Sequence, residues 1–140
     1  LINKIINNKR YVYFYLTVYW IILFAATSIP SDHVPSLGVS DKFKHFGAYA
    51  VLASLVYAAL FIQNRYKIFK QKPALFTIII TALYGALDEI HQSFIPGRSC
   101  ELMDWVADVI GILLAVIIIK YFIFGKWKIN FALKNSAKEH

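Results

Sequence analysis

FTIIITALYGALDEIHQSFIPGRSCELMDWVADVIGILLAVIII, residues 76–119, sets a polar interval between two strongly apolar runs. Five of the chain's eight acidic residues, Asp88, Glu89, Glu101, Asp104 and Asp108, lie between Leu87 and Gly111. Each flanking run, taken with the adjoining end of the interval, reaches the length of a membrane-crossing helix, which takes about 20 mostly apolar residues. The interval therefore reads as the end of one crossing, a short loop with Pro96 and Gly97, and the start of the next. Composition extends that reading to the whole chain. Of 140 residues, 59% are hydrophobic and 16% charged, whereas soluble domains have roughly 45–50% apolar and 25% charged residues.

Four segments meet the length for a crossing: 11–29, 43–62, 74–92 and 105–124. The expected fold is all-α, a single-domain bundle of four transmembrane helices over residues 1–140. Short connections make neighbouring helices antiparallel. The first segment follows Lys4, Lys9 and Arg10 and ends in AATS, the order of a secretory signal. Its apolar run exceeds the roughly 7–15 residues of a signal core, so a retained helix is expected. The chain starts with Leu1, and a few leading residues are expected to precede it.

The net charge of +7 does not point to nucleic acid, because the cations sit between apolar segments rather than on one folded face. Eleven Lys and Arg residues fall before the first span, between the second and third, and after the fourth; only Lys42, Lys44 and Arg98 fall on the other side. By the positive-inside rule both termini are cytoplasmic. Lys120, inside the fourth span, snorkels to the same face. Seven of the eight acids then collect at the outer end, with His33, His45 and His91. The lone Cys100 forms no internal disulfide and is taken as incidental.

Residues three or four apart share a helix face. Asp41, His45 and Tyr49 form one such row, Tyr84, Asp88 and Gln92 a second, and Asp104, Asp108 and Gly111 a third. With Phe94 as the limit of its span, Asp88 lies roughly 9 Å inward. A carboxylate facing lipid there costs about 2.5 kcal/mol or more, so Asp88 should face the bundle, a wet cavity or a cation. Arg98 is the expected partner, its planar fork folded back by Pro96 and Gly97 to hold the carboxylate bidentately. Lys42, Lys44, His45 and His91 are the other candidates. Glu89 points about 100° away from Asp88, toward another helix or the interface. Gly47, Ala48, Ala50, Ala82, Gly85, Ala86, Ala107, Gly111 and Ala115 are expected to let the backbones approach closely. Trp20, Trp105 and the tyrosines read as interface anchors.

Two long patterns carry a family resemblance. D-K-x-x-H-F-x-x-Y (Asp41, Lys42, His45, Phe46, Tyr49) and D-E-x-x-Q-x-F-x-P-G-R-x-x-x-x-x-D-x-x-x-D-x-x-G (Asp88, Glu89, Gln92, Phe94, Pro96, Gly97, Arg98, Asp104, Asp108, Gly111) resemble the VanZ-like family of bacterial membrane proteins. Asp108 stands where that family's pattern leads one to expect Asn. The resemblance implies a multi-pass protein of the bacterial cytoplasmic membrane and cell envelope, and a link to low-level teicoplanin resistance.

Asp41, Lys42, His45, Tyr49, Asp88, Glu89, Gln92, Arg98, Asp104 and Asp108 thus form a candidate polar site at the outer ends of three helices. Three readings of it stay open: an ion-pair network that pins the helices, a pocket for a lipid-linked wall precursor, lipid head group or glycopeptide-related ligand, or an enzyme acting on an envelope substrate. The catalytic reading would make His45 a general base oriented by a carboxylate. No G-x-S-x-G or H-E-x-x-H pattern supports a standard hydrolase, and D-E-x-H-Q has no recognised metal spacing. No cofactor or metal is expected, and membrane lipid is the expected partner. Transport finds little support, since the inner halves offer only Thr17, Ser54 and Thr77 as polar groups.

Overall fold

The computed structural model describes residues 9–31 and 40–123. Asp32, His33, Phe124, Glu139, His140 and the terminal cations Lys4, Lys126, Lys128, Lys134 and Lys138 lie outside them. All regular structure among the described residues is helical. Helix α1 covers Lys9–Thr27, α2 Asp41–Ile62, α3 Lys67–Gln71, α4 Pro73–Gln92 and α5 Leu102–Ile118, the last continuing as a π-helical turn over Ile119–Ile123. Four of these helices, α1, α2, α4 and α5 with its π-turn, are long and apolar enough to cross a membrane.

The expected spans match these helices within three residues at most ends. The largest useful difference is at α5, which starts at Leu102 and so takes Asp104 into its first turn. The loop expected between the second and third spans contains the short α3. Pro73 opens α4, where its fixed φ suits a first helical turn and its missing N–H has no intrahelical partner to lose.

Helix α2 is the axis of the bundle. It packs most extensively on α5, and also on α4 and α1. Leu52, Ala53 and Val56 of α2 meet Ile112 and Ala115 of α5, with Leu23 of α1 closing one side. The outward faces carry Ile21, Phe24, Leu83, Leu87, Ile110 and Ile117, all exposed. Such a surface is unsuited to water and suited to lipid.

The least buried spanning helix is α1, with only Val12, Leu23 and Thr27 removed from the surface. Polar bonds hold it in addition to packing. The Tyr19 hydroxyl donates to the Ala48 carbonyl at 2.8 Å. At the far end of the chain's spans, Lys120 lies in the π-turn, exposed, with its Nζ 5.3 Å from the Tyr121 ring.

Candidate functional site

The end of α1, the start of α2, the end of α4 and the start of α5 meet at one end of the bundle. The expected helix rows face inward there, apart from Asp41 at the start of its row, which is exposed. His45, Tyr49, Asp88, Gln92, Asp104 and Asp108 are all buried, and so is Glu89. Two glycines permit this convergence. A Cβ on Gly111 would lie 2.2 Å from the Phe46 carbonyl oxygen, so α5 touches the α2 backbone only because that side chain is absent. A Cβ on Gly85 would lie 3.1 Å from Asp108 Oδ2 and 3.2 Å from the Tyr49 ring. Gly47, expected to share this role, has nothing within 4 Å of its Cβ position.

Asp88 is surrounded by neutral donors. Thr27 Oγ1 donates to its Oδ1 at 2.8 Å, while Tyr49 OH at 3.2 Å and Gln92 Nε2 at 3.5 Å both reach Oδ2. The expected Arg98–Asp88 fork is not formed. Arg98 instead donates from Nε to the Ile29 carbonyl at 2.8 Å, from Nη2 to the Ala26 carbonyl at 3.2 Å, and from Nη1 to Gln92 Oε1 at 3.0 Å. The reason is the exposed C-terminal end of α1, whose carbonyls lack intrahelical donors and attract a cation. Gln92 relays between guanidinium and carboxylate. The turn that aims Arg98 is as expected: Gly97 has φ +73° and Arg98 N–H donates to the Ile95 carbonyl at 3.1 Å. His91 is not a partner of Asp88 either; its ring stacks on Phe24 at 5.1 Å.

Glu89 faces the opposite way, into α2 and α5. Its Oε2 accepts the Glu101 N–H at 2.9 Å, and its Oε1 lies 3.6 Å from His45 Nδ1. The same Nδ1 is 3.1 Å from Asp108 Oδ1, and His45 Nε2 is 4.0 Å from Asp104 Oδ2. One imidazole is therefore enclosed by three carboxylates from two helices. Lys42 closes the rim, 3.1 Å from Asp104 and 3.4 Å from Glu101. Asp41 is exposed and paired with Lys44 at 3.1 Å. Trp105, expected as an interface anchor, donates its indole N–H to the Ala82 carbonyl at 3.0 Å and so ties α5 to α4.

Against known families, the VanZ/LLP1 family matches residues 11–125. The chain belongs to the VanZ/LLP1 family. It is a VanZ-like multi-pass membrane protein, all-helical over its described residues. No curated protein and no solved structure gives a significant match to it.

In this VanZ/LLP1 protein a cleft of about 180 Å³ opens between α1 and α2 beside the polar network. Leu23, Ala26 and Ala48 give it an apolar wall; Thr27, Asp41, Lys44, His45, Tyr49 and Arg98 give it a polar one. Asp88, Gln92, Asp104, Glu89 and Asp108 do not line this cleft and stand behind that wall. Asp88 reaches it directly through Thr27 and Tyr49, and through Gln92 to Arg98. Thr27 was not anticipated from sequence as a site residue. The signal was present in AATS at the end of the first span, where hydroxyls close an apolar run at the same end of the bundle as Asp88.

Proposed function

We propose that this VanZ/LLP1 protein sits in the bacterial cytoplasmic membrane with the polar end outward, and that the α1–α2 cleft receives the head of an amphiphilic envelope molecule. A lipid-linked wall precursor, a lipid head group or a glycopeptide-related ligand fits this description. The observation that carries the reading is the two-sided lining of the cleft. Lys44 and Arg98 offer charge to a phosphate, and Asp41, Tyr49 and Thr27 offer partners to hydroxyls or amides. Leu23, Ala26 and Ala48 offer an apolar surface to an acyl chain. Arg65, Lys67, Lys70 and Lys72 all lie between α2 and α4 at the other end of the bundle, which supports a cytoplasmic placement of that end. Through such a ligand the protein would influence susceptibility to teicoplanin.

Native mass spectrometry of the detergent-purified chain tests the pocket, with phosphatidylglycerol and a polyprenyl-pyrophosphate wall precursor as probes. One adduct per chain is expected, lost in Lys44→Gln while the fold is kept. Absence of an adduct on the wild type would leave the network as a purely structural clamp, and equal binding by wild type and Lys44→Gln would place the ligand outside this cleft. Growth on graded teicoplanin, with wild-type and Lys44→Gln genes expressed equally, reads the cellular consequence. For orientation, a cysteine at Ser40 should react with an impermeant reagent from outside, and one at Gln71 should not.

One observation favours a membrane-embedded enzyme as a second reading. His45 lines the cleft and is held through Nδ1 by Asp108, as an oriented general base requires. Turnover of a supplied envelope substrate that survives Lys44→Gln at saturating concentration but is abolished in His45→Gln would favour it over simple binding.

A further inference from the structure

The sequence offers no metal spacing, yet the fold assembles one. We propose that His45, Glu89 and Asp108 form a buried site for a divalent transition-metal ion between α2, α4 and α5. One donor atom from each of these residues lies within 4.8 Å of the others. The two contacts to His45 Nδ1, 3.1 Å from Asp108 and 3.6 Å from Glu89, match donor–donor edges around an ion. With bonds of about 2.0–2.2 Å, such edges run roughly 3.0–3.6 Å in octahedral or tetrahedral sites.

Unmatched charge and unmatched atoms both point to an ion. Glu89 is 3% exposed and Asp108 0%. Glu89 Oε1 and Asp108 Oδ2 are buried without a hydrogen-bond donor. Among the described residues neither carboxylate is paired with Lys or Arg, since Lys42 is taken by Asp104 and Glu101, and Arg98 by carbonyls and Gln92. A single imidazole, even protonated, offsets only one of the two acids. Buried charge of that kind is costly unless neutralised, and a divalent ion with a neutral imidazole neutralises both.

The surroundings are those of held ligands. Glu89 is gripped by the Glu101 N–H through Oε2, which leaves Oε1 to face His45. The other ring nitrogen of His45 faces Asp104, itself fixed by Lys42. Carboxylates behind a ligating imidazole are a recurrent means of setting its orientation. A second trio, Asp41, His45 and Asp104, also comes within reach of an ion. Its two acids already hold Lys44 and Lys42, so the buried trio is the better site. One nitrogen and two carboxylate oxygens without sulfur suit Zn²⁺ or Mn²⁺ more than Cu⁺. His45 alone of the three also lines the cleft; Glu89 and Asp108 do not, so substitutions there test the ion site apart from the cleft.

The test uses the full chain in detergent, stripped with EDTA and titrated with Zn²⁺ by calorimetry, with Mn²⁺ followed by electron paramagnetic resonance. One ion per chain is expected, with an upward shift in unfolding temperature. Glu89→Gln and Asp108→Asn should each weaken the affinity by at least about tenfold. If either variant yields no folded protein, the other assigns the residues, and the wild-type titration decides on its own whether an ion binds. Absence of saturable binding of both ions by about 100 μM free metal overturns the proposal. So does binding that persists in both variants, or that is lost only in Asp41→Asn.

Discussion

Asp88 and Glu89 are neighbours on one helix, both almost fully buried, and they meet opposite solutions. Asp88 looks toward α1 and α2 and is satisfied by two hydroxyls and an amide. Glu89 looks toward α2 and α5 and shares one imidazole with Asp108, with an oxygen of each acid left without a donor. The difference teaches what each half of the network is for. Bonds around Asp88 are complete within the protein and join α1 to the bundle. Those around Glu89 and Asp108 are incomplete, and incompleteness in a buried polar cluster directs attention to something the protein takes up.

The strongest way to break both halves at once is Gly111→Leu, which drives a side chain into the Phe46 carbonyl and separates α5 from α2. Overpacking of this kind costs about 3 kcal/mol or more where backbone blocks relaxation. Loss of monodisperse protein in size-exclusion chromatography is the expected result.

Asp88→Ala acts on one half alone by orphaning Thr27, Tyr49 and Gln92. At about 0.6 kcal/mol per polar contact in a membrane, the loss is roughly 2 kcal/mol, read as a lower unfolding temperature in detergent. Thr27→Val removes only the link from α1, for about 0.6–1.7 kcal/mol, and should raise proteolysis near the end of α1 before the rest of the bundle opens.

Asp108→Asn sharpens the contrast from the other side. In EDTA it should leave stability unchanged or raise it by up to about 1 kcal/mol, because it removes a buried charge while the Asn Oδ1 still accepts from His45 Nδ1. A fall as large as that of Asp88→Ala would mean that the two halves are alike. Lys44→Gln should do least to stability, since exposed ion pairs are worth about 0–1 kcal/mol, and its effect should appear in ligand uptake.

Much of this was written in the order of the residues. Four apolar runs of sufficient length, broken by short polar loops, leave helices as the way to satisfy every backbone group in lipid. The row Asp104, Asp108, Gly111 and the row Asp41, His45, Tyr49 declare inward faces through helical periodicity, and burial follows for all but Asp41, which stands at the exposed start of α2. The Pro96–Gly97 turn was legible because the pair has so few other uses.

What remained closed to the sequence was pairing between helices. Periodicity says which residues share a face, yet it does not say which faces meet or at what rotation. Arg98 was matched with Asp88 by charge alone, whereas the carbonyl end of α1, only located once α1 docks, competes for it and wins. Glu89 was expected to face away from Asp88, toward another helix or the interface, but α4 alone could not say which; with α2 and α5 in place, that direction leads to His45 and Asp108. Covalent order and hydrophobic length thus determined four membrane helices with acids at one end. Donor–acceptor choices among groups more than forty residues apart depend on distances of a few ångströms, and tertiary packing alone decided them.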